Sequence, residues 1–282
     1  MFKGILQVAR GEFRLFVLNS KIIVVLFAII YISESLMEPV RRLCEASGLK
    51  LSFMEPYLLL TDVESYSLVI PLVFMVLMSG FPSRQSFNYF SLIRISRTQW
   101  LLGEMLFVCA AAVSYILLIL LGLIAYMCRY ISWTNGWGSY MLDFHMQYPE
   151  EYMENAGYFL RSDMMTHGSP LSVFLHSLCL MVCMLLTVAL LQMTFALMKK
   201  SLIGMLLSVG ITLMAAPMIH NGAGKLKWIF PMPHTNFALH YNGLLAEKNL
   251  GIGMSYIYFA VLIAILVSVD VMLMKKIPMG GQ

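Results

Sequence analysis

The sequence is poor in charge. Only 12% of its 282 residues are Asp, Glu, Lys or Arg, whereas 60% are hydrophobic. Charged residues make up about a quarter of an ordinary soluble domain. The composition therefore excludes a soluble globular protein, and the mean hydropathy of +0.78 indicates a chain embedded in a membrane.

Known catalytic motifs are also missing. The pair Lys200-Ser201 lacks the glycines of a phosphate-binding loop, and there is no His-Glu-x-x-His, serine nucleophile elbow or glycine-rich dinucleotide motif. We therefore expect no catalytic residue, cofactor or metal ion in this chain. We also expect no nucleic-acid partner.

Cysteine is sparse, with five residues in the chain. Cys179 and Cys183 share one face of an apolar helix without a neighbouring His or carboxylate, a pattern that indicates packing rather than metal binding. A disulfide between Cys44 and Cys128 is left open.

What the sequence has instead is long apolar runs. A helix needs about 20 apolar residues to cross a bilayer, and lipid offers no hydrogen-bond partner to any backbone other than a helix or a closed barrel. The pattern predicts a single all-α membrane domain over residues 1–282. Its six transmembrane helices would be Ile22–Met37, Ser67–Gly80, Leu101–Met127, Leu171–Met198, Leu202–Ile219 and Met254–Met274.

Residues 1–20 predict an amphipathic helix. Apolar side chains such as Phe2, Leu6 and Phe13 recur at helical spacing, while Arg10 and Arg14 occupy the other face. Such a helix lies in the headgroup plane of a membrane or covers a cytosolic partner. We favour the membrane interface because the first span follows at once.

The distribution of charge predicts the orientation. With both termini in the cytoplasm, the inner segments carry 11 basic residues and the longer outer loops carry 8, and nearly all acidic residues outside the first helix fall in the outer loops. The outer segments would be 38–66, 128–169 and 220–253. We expect 128–169 to form short helices and turns, and the Pro-broken apolar run in 220–253 to form a re-entrant segment before the sixth helix.

Polar residues inside the predicted spans are few. Asp270 lies near the inner end of the sixth span, within reach of Lys275 or of headgroup water, and we expect it to have a structural role. His176 lies near the outer end of the fourth span, at the membrane interface. No chain of intramembrane carboxylates is evident, so the spans offer no energy source of their own.

The segment 81–100 between the second and third spans is basic and rich in aromatic residues. Large aromatic side chains and arginines are typical anchors of protein interfaces. A cytoplasmic loop needs positive charge to stay inside, but it does not need aromatic residues. We interpret the segment as a docking site, the alternative being interfacial anchors with retention charges. The candidate docking residues are Arg84, Phe87, Asn88, Tyr89, Phe90, Arg94 and Arg97.

This arrangement resembles the permease subunits of type-2 ABC exporters. The amphipathic N-terminal helix, six spans, short loop helix after the second span and re-entrant segment before the sixth are similar to that family over essentially the whole chain. Ser96-Arg97 and Leu101-Leu102-Gly103 match the family's re-entry pattern. Glu104 replaces its usual Lys, and Arg84-Gln85 stand where acidic residues are common.

The resemblance implies an ATP-driven exporter in a bacterial cytoplasmic membrane. Residues 86–94 would form a coupling helix that docks on a separate ATPase subunit, which binds ATP and Mg²⁺. A second permease subunit would complete a dimer that exports an antimicrobial peptide, a lipid-like molecule or a drug by alternating access. The second and fifth spans would line the route, with candidate residues Pro71, Met75, Met78, Met205, Thr212 and Pro217. Met in these spans is also ordinary packing.

Two other functional classes stay open. One is a self-contained secondary carrier or channel, which predicts transport without ATP and intramembrane carboxylates for coupling. The other is an immunity or sensing protein that binds a peptide at the aromatic, acidic segment 128–169.

Overall fold

The computed structural model describes residues 2–82, 96–220, 224–241 and 250–276. Over these ranges the chain is almost entirely helical. Its one β-structure is a parallel pair of two-residue strands, β1 (Leu51–Ser52) and β2 (Ile131–Ser132). The prediction of an all-α protein is therefore confirmed.

Fourteen α-helices are numbered along the described ranges. The first half of the chain contains α1 (Phe2–Val17), α2 (Ile22–Ile32), α3 (Glu38–Ser47), α4 (Glu55–Asp62), α5 (Glu64–Ser67), α6 (Val69–Leu77) and α7 (Arg97–Tyr126). The second half contains α8 (Ser139–Gln147), α9 (Pro149–Glu154), α10 (Ser162–His167), α11 (Pro170–Leu197), α12 (Ser201–Leu213), α13 (Ala215–His220) and α14 (Ile252–Lys276). A π-helical turn, Ser33–Met37, joins α2 to α3.

Four helical stretches of the described chain are long and apolar enough to cross a membrane: Ile22–Ser47, Arg97–Tyr126, Pro170–Leu197 and Ile252–Lys275. A fifth is obtained if Glu55–Asp62 and Glu64–Leu77 form one broken span, although these two parts meet at 97°. The apolar helix Ser201–Pro217 is shorter than the others. The predicted count of six spans is therefore not confirmed.

The second predicted span differs most from the structure. Its straight part, α6, has only nine residues, and the preceding α4 was assigned to an outer loop. Every residue of α4 is buried. The bend lies at Val63, whose backbone is extended (φ −81°, ψ 113°). A polar sequence such as Thr61-Asp62 gives no sign that its helix is enclosed by other elements.

Helix α11 is the centre of the bundle. Its most apolar stretch is 67% buried within the protein, against 17% for α14. Every residue from Met184 to Leu190 is buried, and α7, α12 and α14 pack around them. Ser169 caps the first turn and Pro170 occupies the first helical position, where its missing N–H has no consequence.

Helix α1 packs along the first half of α7. Their axes approach closely at Gly103, where an added Cβ would lie 2.6 Å from Val8 Cβ and 3.0 Å from the carbonyl oxygen of Ile5. Phe16 continues the contact edge-on against Phe107, with ring centroids 5.9 Å apart. Arg10 and Arg14 remain exposed on the opposite face. A helix is present within 1–20, as predicted, and its residues Val8 and Phe16 contact α7, whereas Phe2 is exposed. Its location at a membrane interface stays a prediction.

The segments 38–66 and 128–169 pack together at one end of the bundle. Glu55 accepts hydrogen bonds from the amides of Ser52 (2.8 Å) and Gly138 (2.6 Å), and Arg161 pairs with buried Asp62 at 2.7 Å. Segment 128–169 forms short helices and turns, as predicted. We call this part of the molecule the cap end.

Segment 224–241 forms three 3-10 turns, Gly224–Ile229, Met232–Thr235 and Phe237–His240. All ten residues from Pro231 to His240 are buried, against α11, the N-terminal half of α14 and the cap end. Asn236 donates from its side-chain amide to the carbonyls of Thr61 (3.3 Å) and Asp62 (3.1 Å). Residues 231–240 therefore do not form an exposed loop.

Candidate functional site

Six of the seven predicted docking residues, Arg84, Phe87, Asn88, Tyr89, Phe90 and Arg94, lie outside the described residues. Arg97 is described, and its guanidinium donates to the carbonyl oxygen of Lys275 at 3.0 Å. This bond joins the start of α7 to the end of α14. It brings a predicted docking residue next to the C-terminal segment.

The described residues on either side of segment 83–95 pack against the bundle. On the side of α6, Phe81 is buried, and its ring centroid lies 5.6 Å from that of Phe107 on α7. On the side of α7, Ser96 and Gln99 form a capping box. The Ser96 hydroxyl accepts from the amide of Gln99 (3.3 Å), and the Gln99 side chain accepts from the amide of Ser96 (3.1 Å). The described residues that flank the segment are therefore packed against the bundle: Phe81, four residues beyond the end of α6, on one side and the capped first turn of α7 on the other.

Basic residues gather where this segment leaves the bundle. Lys21 donates from its ammonium group to the hydroxyl of Ser79 at 2.7 Å, which ties the start of α2 to the end of α6. The α11–α12 turn, with exposed Lys199 and Lys200, is beside the same point. We call this the basic end; among the described residues it includes Arg10, Arg14, Lys21, Arg97, Lys199, Lys200 and Lys275.

The predicted route residues do not share one cavity. Met75 is buried against Met184 and Val188 of α11, and Thr212 donates to the carbonyl of Ser208 at 2.9 Å within its own helix. Met78 and Met205 line two different clefts at the basic end. Pro71 is buried and Pro217 is exposed.

One polar link crosses the bundle near Pro71. The hydroxyl of Tyr115 on α7 donates to the carbonyl oxygen of Ile70 at 2.9 Å, one residue before Pro71. This bond satisfies a buried hydroxyl and ties α6 to α7. The third and second predicted spans are therefore joined both here and at Phe81.

An apolar groove lies between α11, α12, α14 and segment 224–241. It has a volume of about 250 Å³, and among the described residues Val188, Leu191, Ile211, Tyr258 and Leu262 line it. The Tyr258 hydroxyl closes one end by donating to the carbonyl of Ile229 at 2.8 Å. None of the predicted route residues lines this groove.

Asp270 has a different environment from the one predicted. It is fully buried, and its Oδ1 lies 2.7 Å from the hydroxyl of Thr194 on α11. That hydroxyl is also 2.9 Å from the carbonyl oxygen of Leu190. Lys275 is exposed and forms no ion pair with Asp270 in the described chain. Glu104 on α7 is likewise fully buried, which the sequence analysis did not anticipate.

A buried histidine cluster joins segment 224–241 to α14. His234 contacts the hydroxyl of Ser255 through Nδ1 (2.7 Å) and donates from Nε2 to the carbonyl of Trp228 (2.8 Å). Its ring stacks on Tyr258, with centroids 4.1 Å apart. Burial lowers the pKa of His234 to about 4 and also lowers the pKa of His240. His234 is therefore a neutral base at physiological pH.

No sequence pattern predicted this cluster. Its only sign was two histidines in a Pro-broken apolar run, and Ser255 lies in the next helix. His176 was predicted to be interfacial. It contacts the Tyr256 hydroxyl at 2.9 Å and stacks against Phe237 of the same segment.

All five cysteines are free thiols, so the possible bridge between buried Cys44 and exposed Cys128 does not form. Cys179 and Cys183 belong to no group of three or more His, Cys, Asp or Glu side chains that could hold a metal, and the described residues contain no such group.

Comparison of the chain with models of protein families, with curated proteins and with solved structures finds no match.

Proposed function

We propose that this chain is the membrane-spanning subunit of an ATP-driven exporter and that force enters it through the segment 83–95. The observation that carries the proposal is the anchoring of that segment. Phe81 packs on Phe107, and the Ser96–Gln99 capping box fixes the start of α7. A movement of the segment would therefore be passed to α6 and α7 together.

Helix α1 supports this transmission. It contacts α7 along its first turns, and Gly103 lets the two backbones approach within van der Waals distance. The exposed arginines of α1 and the bond between Arg97 and Lys275 concentrate positive charge around the segment. A partner with an acidic rim and an apolar pocket would complement this surface.

The remaining features of the exporter belong to the same proposal. Both termini face the cytoplasm, and six spans cross the membrane, with the bent pair α4–α6 as the second, α12–α13 as the fifth and the buried segment 224–241 as a re-entrant element. A second permease subunit completes the transporter. The partner ATPase binds ATP and Mg²⁺, and the cargo is an antimicrobial peptide, a lipid-like molecule or a drug.

The test is reconstitution with whatever ATPase subunit is encoded beside the gene. The wild-type complex should co-purify, and its ATP hydrolysis should respond to the permease. Phe90→Ala and Arg94→Glu should each weaken the complex at least about tenfold, as expected for interface hot spots. Trp133→Ala and Arg129→Glu, which change exposed residues of the cap end, are the matched controls.

Two results would overturn the proposal. One is the absence of a complex with the wild-type chain. The other is equal binding by Phe90→Ala, Arg94→Glu and the two controls.

A self-contained carrier is the second candidate, and Asp270 favours it. A fully buried carboxyl group within a membrane helix is a candidate for ion coupling. In vesicles without any ATPase, a carrier would show transport driven by a pH gradient, and Asp270→Asn would abolish it. Transport that strictly requires ATP and persists in Asp270→Asn would exclude this class.

A further inference from the structure

The most exposed large apolar side chains of the described chain lie at the cap end. They are Met153, Trp133 and Met146, which are 76%, 75% and 74% exposed. None of the three belongs to a helical stretch that is long and apolar enough to cross a membrane. Lipid chains around the spans therefore do not account for their exposure, and apolar surface left outside the spans marks an interaction site.

Met146 and Met153 are not part of the core of the cap end. Helices α8 and α9 pack inward through an aromatic cluster centred on Phe159. Its ring stacks on Tyr140 of α8, with centroids 4.6 Å apart, and meets Tyr152 of α9 edge-on at 4.8 Å. Phe159 therefore joins the two helices, and the two methionines are left on the outside.

The outer side of α8 and α9 combines apolar and acidic residues. Leu142, which is 44% exposed, lies one turn before Met146 on α8. An acidic residue precedes each methionine by three positions, Asp143 before Met146 and Glu150 before Met153. Residues three apart are neighbours on a helix surface. We call Leu142, Met146, Met153 and the two acids the α8–α9 face.

The negative charge on this side of the molecule is not compensated. Four acidic side chains of α8 and α9 form no ion pair in the described chain: Asp143, Glu150, Glu151 and Glu154. Arg161 is the nearest Lys or Arg along the chain, but it pairs with Asp62 at 2.7 Å. Complementary charge steers partner choice at an interface, so a positively charged partner fits here.

We propose that the α8–α9 face binds a cationic amphipathic helix. Its apolar side chains lie against Leu142, Met146 and Met153, and its Lys or Arg side chains lie opposite the acids. Methionine is flexible and polarizable, so it adapts to apolar partners of varied shape. An amphipathic helix presents apolar and charged residues at spacings of three and four, as this face does. The inference does not depend on the proposed ATP-driven function, although a peptide is one of the cargo classes named there.

The test measures peptide binding to the full chain in phosphatidylcholine nanodiscs, with empty nanodiscs as the reference for insertion into lipid. The probe is a fluorescent helical peptide of about four turns with Leu on one face and Lys on the other. In its matched counterpart, Glu replaces every Lys. The Lys-containing peptide should bind saturably above the reference, and its binding should weaken as salt rises, because charges at an exposed interface are screened. Equal binding of the two peptides, or no binding above empty nanodiscs, would overturn the inference.

The decisive variant is Met146→Gln/Met153→Gln, which keeps the side-chain lengths and removes apolar surface. It should weaken binding of the Lys-containing peptide about tenfold or more. The unfolding midpoint of the free protein should stay level, because both positions are exposed. Glu150→Gln/Glu154→Gln should also weaken binding and reduce its salt dependence. Met198→Gln, at an exposed position beyond the end of α11, is the matched control and should bind as wild type. Wild-type affinity in the double methionine variant would contradict the proposal.

A photoreactive amino acid in place of Met146 distinguishes a peptide from the membrane surface. In nanodiscs with the Lys-containing peptide present, it should crosslink to the peptide. Crosslinks to lipid alone would assign this face to the membrane surface and overturn the peptide assignment.

Discussion

At the residue scale, the structure gives a physical reason for one position of the family-like pattern. Gly103 was noted only because it follows two leucines before Glu104. Its lack of a side chain is what lets α1 lie against α7, because a methyl group would overlap Val8. The burial of Glu104 and Gln192, by contrast, could not be predicted from any sequence pattern.

Gly103→Ala should detach or shift α1. Forcing a methyl group into a packed contact costs about 1–3 kcal/mol, and the overlap with Val8 Cβ and the carbonyl oxygen of Ile5 cannot be relieved by a side-chain rotation. The free energy of unfolding in detergent should fall by that amount, and amide hydrogen exchange in α1 should rise.

Gly210→Ala is the matched control. It also adds a methyl group to a helix interior, but among the described residues no atom outside the adjoining helix backbone lies within 4 Å of the new Cβ. Alanine favours a helix over glycine by about 1 kcal/mol, so stability should stay level or rise. An equal loss in both variants would contradict the close packing of α1 on α7.

The ion pair between Arg161 and Asp62 provides a second prediction at this scale. Asp62 is buried, and Arg161 also donates to its carbonyl oxygen at 3.2 Å. Arg161→Ala would leave a buried carboxylate without its cation, so the free energy of unfolding should fall by roughly 3 kcal/mol, the lower end for a buried pair because Arg161 is one-third exposed.

Arg42→Ala is its control. Arg42 pairs with Glu38, but its side chain is 75% exposed. A pair in solvent contributes less than about 1 kcal/mol. Similar losses for both arginines would show that Asp62 is not enclosed as described.

At the element scale, apolar length predicted the long helices well. Helices α7, α11 and α14 begin and end within a few residues of the predicted limits, because some 25 apolar residues leave no other arrangement in lipid. The bent pair α4–α6 was not predictable in this way. Helix α4 is buried through contacts with residues distant in sequence; for example, its Glu55 accepts a hydrogen bond from the amide of Gly138. A local sequence pattern cannot predict such contacts.

Segment 224–241 should respond to acid. The pKa of His234 in the folded protein is about 4, whereas an unfolded histidine has a pKa of about 6.5. The unfolded chain therefore binds the proton first as pH falls. The contribution of neutral His234 to the free energy of unfolding is therefore fully present above about pH 6.5. It is lost progressively as pH falls from there towards 4.

Hydrogen exchange of residues 228–241 between pH 7 and pH 4, corrected for intrinsic rates, measures this effect. His234→Gln should remove much of the acid sensitivity, the remainder coming from His240, whose pKa is lowered as well. His145→Gln, at an exposed position of α8, should leave it unchanged. A pH response identical in wild type and His234→Gln would contradict the neutral, buried state of His234.

At the scale of the whole molecule, the bundle has two chemically different ends. The cap end is closed by backbone and side-chain hydrogen bonds between segments far apart in sequence, such as Glu55 with Gly138 and Asn236 with Asp62. The basic end carries exposed lysines and arginines and the two anchor points of the segment 83–95. The contacts that close the cap end could not be predicted from the sequence, because they join segments far apart in the chain.

The central claim is that an ATPase docks on the segment 83–95, and site-specific photo-crosslinking measures it most directly. A photoreactive amino acid replaces Tyr89 in the full chain, co-expressed with the ATPase encoded beside the gene, and the same substitution at Trp133 serves as the control. The account predicts a crosslink to the ATPase from position 89 and none from position 133. No crosslink from position 89, or equal yields from both positions, would contradict it.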